Sequence, residues 1–137
     1  MIGLIYGPKG SGKTKEIVRR ANEALDVSKG NIVYITDSNE YTSAIPAAIR
    51  YVNAAEYLPE NGSISEDALV GFVKGVIASN SDVTEIFIDG IARMLKKSAD
   101  ELEELFIRID DISDRAGVHF CVSLTCDKLP KFLKKYS

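Results

Sequence analysis

Strand-like and helix-like periods alternate four times along this chain, and that alternation constrains its fold more than any other feature. Ile2 to Tyr6 is a short apolar run. From Lys13 the pattern turns helical, with Ile17, Val18, Ala21, Ala24 and Leu25 recurring at spacings of three and four. "NIVYIT", residues 31 to 36, is a β-branched strand behind Gly30. Residues 65 to 79 predict a second helix, with Ser65 as N-cap and acids in the first turn. Ala68, Leu69, Phe72, Val73, Val76 and Ile77 share its apolar face. "EIFIDG", residues 85 to 90, is a third strand that ends in an acid. Residues 98 to 117 predict a third helix, opened by a capping box of Ser98 and Glu101 and stopped by Gly117. "VHFCVSL", residues 118 to 124, is the fourth strand.

This order predicts an α/β fold of three layers, with a mostly parallel sheet of four to five strands and helices on both faces. Ligands of such sheets bind beyond the carboxyl ends of the strands. Residues 1 to 137 fit a single domain. Two segments resist assignment. Pro46 limits any helix in the stretch after Thr36, and "YVNAAEYLPENG", residues 51 to 62, reads as irregular. The tail "DKLPKFLKKYS" reads as a small amphipathic helix docked on the sheet, or as a segment that touches phosphate or a partner.

Composition narrows the function classes. A net charge of −3 argues against a dedicated nucleic-acid binder, which would carry a basic excess. The longest apolar stretch, "ALVGFVKGVIA", is interrupted by Lys74 and is too short to span a membrane. The N-terminus lacks a cleavable leader pattern, so the expected compartment is the cytoplasm. Two cysteines and one histidine support neither a disulfide scaffold nor a structural zinc site.

Between the first strand and the first helix lies Gly7-Pro8-Lys9-Gly10-Ser11-Gly12-Lys13-Thr14, which fits G-x-x-x-x-G-K-[ST], the Walker A pattern, at every fixed position. Glycines allow the backbone to curl so that successive N–H groups point at phosphate oxygens, and the helix start adds its positive end. In this pattern Lys13 reaches the β- and γ-phosphates, and the Thr14 hydroxyl coordinates Mg²⁺. Asp89, closing "IFID", has the Walker B shape of a second acid on the Mg²⁺ side. The plainer alternatives are a ligand-free glycine turn and an acid that merely ends a strand. Directly after Asp89, where many phosphate-loop ATPases carry a glutamate base, stands Gly90.

With this loop, "VYITDSNEYTSAI", and the run from "IFIDG" through a long helix and Gly117 to "VHFCVSLTCD", the chain resembles the RecA-like branch of P-loop NTPases in its minimal core. The resemblance implies that the fourth strand lies between the first and the third, with Ser123 or Thr125 sensing the γ-phosphate; the plainer alternative is that both hydrogen-bond backbone at a strand end. It implies a water-positioning base just beyond the second strand, Glu40 or less neatly Asp37. A solvated turn is the plainer account of that segment. The first half, with "GKTKEIVRR", also resembles thymidine kinase. Arg93 is either an arginine finger or a solvated side chain. The expected activity is binding of ATP with Mg²⁺ and slow hydrolysis. Such hydrolysis would act as a switch or within an assembly, with a protein partner or a second copy. A small-molecule or nucleoside kinase using residues 51 to 66 as a lid, and a non-catalytic nucleotide sensor, are the alternatives.

Overall fold

All four expected strands form, and a fifth joins them at the edge. In the computed structural model, which describes residues 1–137, the strands are β1 (Ile2–Gly7), β2 (Asn31–Thr36), β3 (Arg50–Asn53), β4 (Val83–Ile88) and β5 (His119–Thr125). They make one sheet in the order β1-β5-β4-β2-β3. Every neighbouring pair is parallel. Four helices complete the α/β fold: α1 (Lys13–Val27), α2 (Glu66–Ser79), α3 (Ile91–Leu95) and α4 (Glu103–Ala116).

The strands read as nearly continuous apolar runs because both faces of the sheet are covered. Side chains alternate between two cores. Val33, Ile35, Ile86 and Ile88 join the larger core with Leu69 and Val73 of α2 and Leu105, Phe106 and Ile109 of α4. Ile5, Ile32, Tyr34 and Phe87 face the other way and pack under Ile17, Ala21 and Ala24 of α1. The result is three layers, with α1 on one face and α2 and α4 on the other.

The structure corrects the segment 51 to 62. Its first residues are not irregular: β3 pairs with β2 from Val33↔Arg50 to Thr36↔Asn53. Four residues are too few to show a period, so pairing with β2 and the burial of Val52 define this strand. The segment 98 to 117 is likewise divided. The capping box of Ser98 and Glu101 closes a 3₁₀ turn, Ala99–Glu101, and the α-helix begins only at Glu103. Between them Leu102, fully buried, has φ −103° and ψ 9°. The helix α3, which follows Gly90, has no counterpart among the sequence expectations.

The tail docks. Residues Lys131–Tyr136 form a 3₁₀ helix, Leu129 and Leu133 are buried, and the Tyr136 ring stacks on Phe106 at 5.7 Å. No helix is long and apolar enough to cross a membrane. Most consequential for the site, β5 runs between β1 and β4, which sets the carboxyl ends of these three strands side by side.

Candidate functional site

The glycine loop emerges from β1 and is built to leave donors free. Gly7 ends the strand, and its carbonyl accepts from the Cys126 N–H across at the end of β5 (3.0 Å). Pro8 starts a turn closed by Ser11 N–H donating to its carbonyl (3.2 Å). Gly10 and Gly12 have φ of 82° and 89°, the left-handed region that a Cβ would strain. Gly12 is the N-cap of α1 and offers no side-chain acceptor to the first turn. By contrast Ser65 caps α2, accepting from Ala68 N–H at 3.0 Å. The first N–H groups of α1 therefore lack intrahelical and capping partners and carry the positive end of the helix.

Lys13 folds its ammonium back over the loop, donating to the Pro8 carbonyl at 2.8 Å. Together with Lys9, Gly10, Gly12, Thr14 and Lys15 it lines a cavity of about 350 Å³. Asp89, Gly90, Arg93, Ser123, Thr125 and Tyr41 complete the lining. The lining thus includes four cationic residues and one acidic residue, Asp89, in a chain of net charge −3. Such a concentration of positive charge favours a multiply charged anion.

No protein-family model matches the chain, and no curated protein matches it.

Asp89 is 1 % exposed and takes hydroxyl donors from three different elements. Ser123 Oγ on β5 donates to Oδ1 at 2.6 Å, and Tyr34 on β2 donates to Oδ2 at 3.0 Å. Thr14 Oγ1 on α1 lies 3.5 Å from Oδ1. Ser123 Oγ also accepts from Gly90 N–H at 2.7 Å, fixing the turn after β4. Burial, and next the Asp89 carboxylate beside it, push the Tyr34 phenol well above its ordinary value. It therefore remains a donor at neutral pH. At the end of the same strand, Thr36 Oγ1 is buried with no hydrogen-bond partner.

Gly90 has φ 79°, and a Cβ there would lie 2.2 Å from Arg93 Nη2. The guanidinium of Arg93 occupies the space where any larger residue after Asp89 would begin. Arg93 pairs with Asp37: Nη2 to Oδ1 2.8 Å, Nε to Oδ2 3.0 Å, and Nε to Oδ1 3.2 Å. Hydrogen bonding to Asp37 raises the Arg93 pKa further. Asp37 is thus committed to Arg93, and Glu40 is exposed and outside the cavity lining.

Of the residues singled out from sequence, Lys9, Gly10, Gly12, Lys13, Thr14 and Asp89 come together around one cavity, while Gly7, Pro8 and Ser11 form the turn behind it. Ser123 is the buried partner of Asp89, and Thr125 lines the cavity exposed. Three contributors escaped sequence reasoning, and one of them, Lys15, lies just past the last fixed position of the glycine-loop pattern. Tyr34 carried a signal, since a tyrosine within an aliphatic strand must find a partner for its hydroxyl. Tyr41 carried none, because its approach depends on the path of the loop after β2.

Proposed function

We propose that this chain is a P-loop nucleoside-triphosphate-binding protein of the RecA-like kind, binding ATP with Mg²⁺ and hydrolysing it slowly as a switch or assembly component. One observation carries the reading: Lys13, the uncapped start of α1, and the Thr14–Asp89 pair meet at one cavity. The loop amides and Lys13 would hold the phosphates. The donor set fits Mg²⁺, since the Thr14 hydroxyl and Asp89 carboxylate are hard oxygen ligands that leave positions for phosphate and water. Bound there, the ion would neutralise phosphate charge.

Slow turnover follows from where acids are missing. Gly90 has no side chain and Arg93 fills the space beside it. Glu40 would position water only after a movement of its loop. The space taken by Arg93 also favours a second reading, a nucleotide sensor without hydrolysis.

The test is binding of ATP and GTP with Mg²⁺, alongside phosphate release. Lys13→Ala should weaken triphosphate binding at least about tenfold, the worth of one lost hydrogen bond to a charged group. Asp89→Asn should remove the Mg²⁺ dependence of binding. Undiminished binding by Lys13→Ala refutes the site. Phosphate release that Glu40→Gln leaves unchanged refutes Glu40 as the base, and binding with no release favours the sensor.

A further inference from the structure

The segment after β2 is tied to the cavity wall by Arg93, whose guanidinium packs over Gly90 of the cavity lining. Arg93 grips Asp37 through three contacts, and it also belongs to the cavity lining with Lys13 and Asp89. Further ties are lighter. Tyr51 donates its hydroxyl to the Ser38 carbonyl at 2.7 Å, and Asn39 Nδ2 donates to Glu56 Oε1 at 3.0 Å on the surface. Tyr41, at the end of the segment, lines the cavity, whereas Asn39 and Glu40 are exposed.

The pair is open to competition. The side chains of Arg93 and Asp37 are 53 % and 22 % exposed, so solvent screens their attraction. A phosphate brings more charge than one carboxylate and accepts the same forked donors. An anion in this cavity shares its lining with Arg93, whose guanidinium is already committed to Asp37.

We propose that Arg93 exchanges Asp37 for the terminal phosphate of a bound nucleoside triphosphate, releasing residues 37–41. This rests on the proposed nucleotide site and adds its regulation: the segment is held with a diphosphate and freed with a triphosphate. Asn39, Glu40 and Tyr41 then form the surface that differs between the two states.

Amide hydrogen exchange across residues 37–42, with Mg-ADP and with a non-hydrolysable Mg-ATP analogue, reads the exchange of partners directly. The analogue should raise exchange several-fold and ADP should not. Two variants separate the roles. Asp37→Asn and Arg93→Gln should both loosen the segment in every state. Asp37→Asn should tighten analogue binding about three- to tenfold without changing ADP binding, and Arg93→Gln should weaken analogue binding alone. Binding of both nucleotides with equal exchange overturns the latch and leaves the site standing. So does an equal gain in both affinities in Asp37→Asn. Binding of neither nucleotide overturns the latch and the site together.

Discussion

Replacing Ser123 by alanine should be among the most damaging single changes near the cavity, although it removes only one oxygen. That hydroxyl donates to Asp89 Oδ1 at 2.6 Å and accepts from Gly90 N–H at 2.7 Å, and both Ser123 and Asp89 are 1 % exposed. A hydrogen bond to a charged group contributes about 1.5–3 kcal/mol, and an orphaned buried donor costs about 1–3 kcal/mol. Because one oxygen serves both, the two do not simply add, and a net loss of about 3 kcal/mol is expected. That is a large part of the roughly 5–15 kcal/mol that holds a domain together. Thr36 supplies the opposite case at the end of β2: its Oγ1 is equally buried and has no partner. Thr36→Val keeps the shape and removes an unsatisfied group, so it should be neutral or stabilise by up to about 1 kcal/mol. Urea unfolding of the three proteins, with m-values compared, measures both effects. A loss below about 1 kcal/mol for Ser123→Ala, or a loss for Thr36→Val as large as that for Ser123→Ala, would show that these hydroxyls do not carry the energy the geometry assigns them.

Two further outcomes follow. Gly90→Ala should lower stability by on the order of 1–2 kcal/mol, from the left-handed backbone alone. It should also displace Arg93 from Asp37, raising amide exchange in residues 37–41; an unchanged melting point and exchange pattern would contradict this. Glu16, held down to about 2 chiefly by its hydrogen bond to Arg19 and then by that to Arg20, has a folded pKa below its ordinary value of 4.5. Its contribution is therefore complete above about pH 5 and is lost as pH falls toward 2. Wild type should exceed Glu16→Gln in stability at pH 7 and match it near pH 2, read by urea titrations at several pH values, and a gap that widens in acid would reverse the sign.

Much of this molecule was legible because its signals are local. Apolar spacing places the four long strands and α1, α2 and α4. The glycine, lysine and threonine spacing marks the loop, because the backbone shape it needs is set within eight residues. Asp89 was legible through its position at the end of an apolar strand. What failed to show depends on contacts between distant segments. β3 is four residues long and owes its form to pairing with β2. Leu102 leaves helical dihedrals where its side chain is fully buried, splitting what the sequence presents as one helix. Arg93 and Asp37 lie 56 residues apart, and nothing near either one announces the pairing.

The charges around Asp89 follow a logic of separation. A guanidinium bound directly to this buried carboxylate would satisfy it electrostatically, but would cancel its charge toward any cation entering the cavity. The protein instead surrounds Asp89 with neutral donors from Thr14, Tyr34 and Ser123. Hydroxyls offset the cost of burying the carboxylate and leave its formal charge in place. Arg93 meanwhile passes over Gly90 and pairs with a second carboxylate, Asp37, on a different loop. A side chain at position 90 would obstruct that path, so the glycine after Asp89 and the Arg93–Asp37 pair are one structural choice. That choice leaves no acid next to Asp89 and sets a guanidinium over Gly90 instead. Under the proposed nucleotide-site reading, this arrangement favours gripping an anion and registering its presence over rapid hydrolysis.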